Sequence, residues 1–255
     1  MPLRPALSAA LQVHGLQLRG GFCPGPDEAI ALPDGRPAAV LWLAGNVGGA
    51  MWEVFQASAQ AQDGLPHPLD RWSRQIGDTL AQQFGGAALY PFDGPPLQPQ
   101  FHPFQQWASR CETLFPSPLM LRIHPQHGLW HAYRFALALP CVDADDLAAL
   151  VSTTHAVLPE ESPCLSCVEQ PCLQACPVQA YDGQQFAAER CRNHVRQDAN
   201  QACMRGGCLS RNACPVAPQL RYGPAQLGFH MQAFVPEADT MRHDQGAPAH
   251  LGAQQ

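Results

Sequence analysis

Eight of the eleven cysteines in this chain fall between Cys164 and Cys214, in two groups. The first reads Cys164-Leu-Ser-Cys167-Val-Glu-Gln-Pro-Cys172-Leu-Gln-Ala-Cys176-Pro177. The second is a lone Cys191 followed by Cys203-Met-Arg-Gly-Gly-Cys208-Leu-Ser-Arg-Asn-Ala-Cys214-Pro215. Disulfide frameworks belong to small secreted chains that lack a core, whereas this one has 255 residues and is 46% hydrophobic, so clustered thiols beside proline point to metal ligation. Closely spaced thiolates on a tight loop grip three corners of one iron–sulfur cubane, and a fourth cysteine, turned away by the proline after it, reaches a different cluster. Eight thiolates are what two [4Fe-4S] clusters require. By this crossing, Cys164, Cys167, Cys172 and Cys214 hold one cluster, and Cys176, Cys191, Cys203 and Cys208 hold the other. Zinc is the plain alternative, but it is satisfied by four ligands at paired spacings and has no need of a Cys-Pro ending.

The remaining cysteines, Cys23, Cys111 and Cys141, stand apart in apolar or loop contexts and are expected to be buried small hydrophobes. A formal charge of −6 with 15 Lys+Arg and no basic run offers no footprint for nucleic acid. The longest apolar run, Ala38 to Ala44, is far short of the ~20 residues a membrane-spanning helix needs, and the start of the chain does not resemble a signal peptide. A soluble cytoplasmic protein is expected.

Along the chain, Ala38 to Ala44 reads as a buried strand ending at the Gly-rich turn Gly45-Asn-Val-Gly-Gly49. Apolar residues at helical spacing predict helices over Ala50 to Gln60 and Leu69 to Phe84, the second stopped by Gly85-Gly86. Ala87 to Tyr90 reads as a strand, Phe104 to Ser109 as a short helix, and Pro118 to His124 and Leu129 to Leu139 as two strands of a hairpin joined by Pro125-Gln-His-Gly128. These segments predict an α/β or α+β layered unit over roughly residues 10 to 140. Val142 to Val151 reads as a helix capped by Asp143, and Pro159-Glu-Glu-Ser-Pro163 as a boundary. In the cysteine block only Phe186 to Arg196 reads as helical, because metal ligation rather than a hydrophobic core can fix the rest. The expected domains are 1–158, 159–220, a helix over 221–235, and a disordered polar tail over 236–255.

The proline before the third cysteine resembles bacterial iron–sulfur electron-transfer subunits. The 4+1+3 order of cysteines is similar to the dicluster ferredoxin-like unit of epoxyqueuosine reductases and reductive dehalogenases, although Cys203 lies upstream of where their tight second group would put it. Leu121-Arg-Ile-His124-Pro-Gln-His-Gly128-Leu-Trp130-His-Ala-Tyr-Arg134 resembles a stretch of the CblC-type cobalamin-processing proteins. So does the order before it, from the strand through Leu43 and the helix with Phe55 to the His67-Pro68-Leu-Asp70 helix start. The resemblance implies a nitroreductase-like α/β sandwich that binds cobalamin, followed by a small C-terminal bacterial dicluster ferredoxin-like domain. It makes His124, Gly128, Trp130 and Arg134 the candidate cobalamin-side positions. Gly128 would permit close backbone approach, Trp130 would supply a flat apolar wall, and Arg134 would offer a fork of donors. On the residues alone, an ordinary hairpin with Arg134 in a local ion pair fits the same segment.

Three functions follow from these features. An iron–sulfur oxidoreductase would pass electrons from a donor such as a ferredoxin or flavodoxin through both clusters to cobalamin, to reduce a small-molecule substrate or strip the upper ligand of cobalt. A non-catalytic electron carrier would use the first half for docking. A cobalamin-trafficking protein would use its clusters during hand-over. Tyr90, Asp93 and Tyr133 lie near the matched segments, but none is singled out as a general acid, since an Asp in a Pro/Gly loop is usually a turn residue.

Overall fold

A strand with a continuous apolar run such as Val40 to Ala44 has to be covered on both faces, and in the computed structural model all eight residues of the strand Val40–Val47 are buried. The structure describes residues 3–25, 28, 30–95, 100–141, 146, 148, 150, 161–197 and 202–235. The first half runs α1 Leu3–Gln12, β1 Gln17–Phe22, β2 Val40–Val47, α2 Trp52–Gln56, α3 Ala59–Gln62, α4 Pro68–Phe84, β3 Ala87–Leu89, α5 Phe104–Cys111, β4 Phe115–Pro116, β5 Arg122–Ile123 and β6 His131–Leu139. A four-stranded antiparallel sheet has the order β1-β2-β6-β3. Side chains alternate across it with period two. Val40, Trp42 and Ala44 join Phe135, Leu137 and Leu139 against α1, α2 and α4, through Leu7, Leu11, Phe55, Trp72 and Ile76. Leu41 and Leu43 join Ala136 and Ala138 against Phe104 and Trp107 of α5. Small alanines on that face of β6 make room for the bulky rings of α5. Helices on both faces of an antiparallel sheet make a mixed α/β sandwich.

The register between β2 and β6 slips between Ala44, opposite Phe135, and Gly45, opposite Tyr133. Arg134 is therefore the extra residue of a β-bulge, which resets the alternation of the strand beyond it. Any side chain at Gly45 would run into the Ala132 carbonyl. The bulge sends Tyr133 to the α5 face, where its hydroxyl donates to Glu112 Oε2 at 2.6 Å, and lets Arg134 Nε donate to Asn46 Oδ1 at 3.1 Å.

Several elements differ from their sequence expectations. The apolar stretch from Ala50 to Gln60 is two short helices, because the Ser58 hydroxyl donates to the Phe55 carbonyl at 2.6 Å and accepts from the Ala61 amide at 3.3 Å, ending α2 and capping α3. The expected hairpin of Pro118–His124 with Leu129–Leu139 is not formed. β5 pairs with β4 in a separate two-stranded sheet, β6 pairs with β2 and β3, and only an isolated bridge, His124 to Gly128, spans the turn. Cys23 and Cys141 are exposed rather than buried. Cys111 is half-buried, and burial pushes its thiol up to about 12. The expected helix cap at Asp143, the boundary near residue 158 and the tail over 236–255 lie outside the described residues.

The second half is short helices joined by tight turns: α6 Pro171–Gln174, α7 Ala188–Gln197, α8 Ala202–Gly206, α9 Leu209–Asn212, a 3-10 turn at Pro218–Leu220, and α10 Pro224–Phe234. Only α7 and α10 were expected as helices; the others are single turns too short to carry a periodic signal. α10 joins the halves, with Phe229 against Trp52 and Phe55 on one side and Met231 packed with Val195 and Cys203 on the other. Among the described residues no helix is long and apolar enough to cross a membrane.

Candidate functional site

Each cysteine of the second half is presented by a turn or a helix end, where the backbone leaves amides free to face sulfur. Cys172 lies in α6, Cys191 in α7 and Cys203 in α8, while Cys208 is the N-cap of α9. The Ala180 amide donates to Cys176 Sγ at 3.2 Å. The amides of Leu173, Leu209 and Val216 oppose the upward push of burial on the thiols of Cys172, Cys203 and Cys214. Donors of this kind tune the potential of a bound cluster.

The thiols gather in two places. Cys176, Cys191, Cys203 and Cys208 line one cavity, walled on its other sides by residues that include Tyr181 and Met231. Burial, then the neighbouring sulfurs of Cys208, Cys176 and Cys203, push the Cys191 thiol up to about 11. Tyr181 bonds Cys208 and stacks on Phe186 with ring centroids 4.5 Å apart, which closes the turn into α7. Cys164, Cys172 and Cys214 pack with Leu119, Ile123 and Leu129 of the first half. Burial first, and then one another's charge and that of Cys167, raise these thiols. Cys167 adds its charge to this group without joining its packed cluster. Among the described residues no group of three or more His, Cys, Asp or Glu side chains is arranged to hold a metal ion. The four thiols of the second set share the lining of one cavity, and thiolates are the ligands that iron–sulfur clusters use. Their chemistry fits a cubane.

The four residues singled out in the first half lie at the joint between the halves. His124 Nδ1 accepts from the amides of Gln126 and His127, and its ring stacks on His127 with centroids 4.1 Å apart. Gly128 has φ +58°, and a Cβ there would collide with the Val216 carbonyl two residues past Cys214. The close approach expected at this glycine is thus made to the chain itself. Trp130 is 0% exposed, packed on Tyr222 and Leu227, with the guanidinium of Arg211 4.6 Å over its ring. It is a core residue of the joint in this structure, not an open apolar wall. Arg134 meets Asn46, whose Nδ2 donates to the Tyr222 hydroxyl at 3.2 Å, and it interacts with Asp70 rather than standing in a local ion pair. Arg211 belongs to the segment between Cys208 and Cys214 and donates to the Leu129 carbonyl. The segment that carries cysteines of both sets is thereby clamped on the 124–128 turn.

Tyr90, Asp93 and Tyr133 all have structural partners. The Tyr90 hydroxyl donates to Asp78 Oδ1 at 2.6 Å, Asp93 pairs with Arg74, and Tyr133 donates to Glu112. Sequence reasoning missed an open cleft of about 510 Å³ between the halves, with Trp52, Phe55, Phe229 and Arg205 among its lining residues. Its residues come from α2, α3, α4, α8 and α10, and although Phe55, Pro68, Met204 and Arg205 lie in quoted stretches, no local pattern brings these elements together.

No protein-family model matches the chain, and no curated protein does. Among solved structures, a B12-trafficking protein CblC of C. elegans, described as a human MMACHC homologue, superposes with a TM-score of 0.50 at 13% identity, over 98% of this chain and 97% of that one. An epoxyqueuosine reductase bound to an epoxyqueuosine-modified tRNA-Tyr stem loop gives a TM-score of 0.37 at 16% identity, over 88% of this chain and 63% of that one. At this identity the first likeness speaks for the fold alone, and the chain shares the overall fold of that CblC protein.

Proposed function

We propose that this chain is an iron–sulfur redox protein in which two [4Fe-4S] clusters pass electrons to a cobalamin bound by a nitroreductase-like N-terminal unit. The observation that carries the reading is that Cys176, Cys191, Cys203 and Cys208 line one cavity while Cys164, Cys172 and Cys214 pack together apart from it. Cys164, Cys167, Cys172 and Cys214 would hold one cluster, and Cys176, Cys191, Cys203 and Cys208 the other, in a ferredoxin-like C-terminal unit. One electron at a time would enter from a reduced ferredoxin or flavodoxin in the cytoplasm, cross between the clusters and leave to the acceptor. The cobalamin would supply the chemistry of reduction or of upper-ligand removal. Support for it comes from the 121–134 resemblance and from the fold shared with a B12-trafficking protein, which equally suits cofactor hand-over. Because Trp130 is buried, the acceptor is not expected to lie against its ring, and the role of the 124–134 segment is to hold the cysteine unit in place.

The test is anaerobic reduction of the reconstituted protein with dithionite, followed by addition of hydroxocobalamin. Reoxidation of the clusters with a matching change in the cobalamin spectrum is the expected result. Clusters that stay reduced while the cobalamin spectrum does not change would favour the non-catalytic carrier.

A further inference from the structure

We infer that the cleft between α2, α4, α8 and α10 binds a flat conjugated ring carrying a phosphate-type anion, and that what binds there abuts the Cys176/Cys191/Cys203/Cys208 cavity. The inference deepens the proposed function by giving its acceptor a place and a recognition chemistry. At about 510 Å³ the cleft has the size of a small-molecule site.

Its floor is aromatic. Trp52, Phe55 and Phe229 form a trio with ring centroids 5.3 to 5.4 Å apart, a surface suited to the face of a conjugated ring. Its net charge is one-sided, although the amides of Gln56 and Gln232 both donate and accept. The only charged residue in the lining is Arg205, which is exposed and makes no ion pair among the described residues. Trp52 Nε1 is a buried donor without an acceptor. The first turns of α4 and α10 reach the wall through Pro68 and through Pro224 and Ala225, and neither helix has a side-chain cap. Their amide ends add positive potential. Asp70, the acid in the first turn of α4, interacts with Arg134 and does not line the cleft. Donors without a carboxylate call for an anionic ligand.

Two helices form a party wall with the thiol cavity. α8 gives Cys203 to the cavity and Met204 and Arg205 to the cleft. α10 gives Met231 to the cavity and Phe229 and Gln232 to the cleft. A ligand in the cleft is therefore one residue along the chain from a cysteine of the second set, which makes that set the terminal one.

A ring with a phosphate describes both a corrinoid with its nucleotide phosphodiester and a flavin mononucleotide, and equilibrium dialysis against each distinguishes them. The probes are hydroxocobalamin and its phosphate-free counterpart cobinamide, and FMN and its phosphate-free counterpart riboflavin, tested on anaerobically reconstituted full-length protein. One phosphate-bearing probe should bind about tenfold more tightly than its counterpart, a preference of the size one charge-assisted contact gives. Arg205→Gln should abolish the preference, and Ala225→Trp, a substitution at an exposed position that fills the cleft, should abolish binding. Both variants should keep the iron content of the wild type. Binding of neither phosphate-bearing probe, or binding that both variants leave unchanged, would overturn the inference while iron content still reports on the clusters separately.

Discussion

At the scale of single residues, the most constrained group in the first half is the buried pair of Arg19 and Glu112. Arg19 Nε and Nη2 donate to the two carboxylate oxygens at 2.6 and 2.7 Å, and Tyr133 adds a third donor. Burial pushes the Glu112 carboxyl up, but Arg19 and Tyr133 outweigh it and the net shift is downward. Removing one partner of such a pair leaves a buried charge, so Glu112→Leu should cost about 3 to 5 kcal/mol in urea denaturation, and the double variant Arg19→Met/Glu112→Leu markedly less. Equal losses would mean that the pair is not coupled. Beside it stand His124, His127 and His131, with Arg19 and Glu112 as the charged groups facing them. Burial pulls His131 down to about 3 and His124 to about 4, with His127 and Arg19 adding repulsion. Unfolded histidine takes up a proton near pH 6.5 that the folded protein refuses, so their stabilisation is complete above that pH and is lost as pH falls toward 4 and 3. Between pH 7.5 and 5.5 His131→Phe should lose about 1.4 kcal/mol less stability than the wild type. An identical loss in both would show that His131 is protonated in the folded chain.

At the scale of elements, what the sequence made legible was what burial imposes locally. The continuous apolar run of β2 and the 3.6-residue period of α4 with its Gly85 stop each reflect one dominant force, and each element is found within two or three residues of its expected place. β1 escaped because Arg19-Gly20-Gly21 reads as a loop, although Gly21 is small there only so that Trp42 can lie against it. The 118–139 segment was misread because strand propensity does not say which strand a partner will be. β6 found two partners distant in sequence, and Arg134 entered a bulge that no alternation pattern reveals. The cleft was invisible for the same reason, since five elements build it. Trp130 shows what the misreading costs in prediction. As a fully buried ring under Arg211, Trp130→Ala should destabilise the fold by about 3 to 5 kcal/mol in denaturant melts. A loss below about 1 kcal/mol would instead suit an open ligand-facing surface.

At the scale of the whole molecule, the cysteine unit is not an independent appendage. Arg211 on Trp130, Gly128 against Val216 and Phe229 between Trp52 and Phe55 tie it to the sandwich at three points. Metal binding in such a unit is folding free energy. Cys176 directly precedes Pro177 in the first run of cysteines yet faces the cavity of the second set. Cys176→Ala should therefore expose residues 161–235 broadly to protease, beyond its own loop, and unchanged resistance there would contradict that coupling. The central claim is two cubanes on eight thiols, and native mass spectrometry of the anaerobically reconstituted chain tests it most directly. The expected mass increment is two units of about four irons and four sulfides each. A single cubane, or zinc without sulfide, would contradict it.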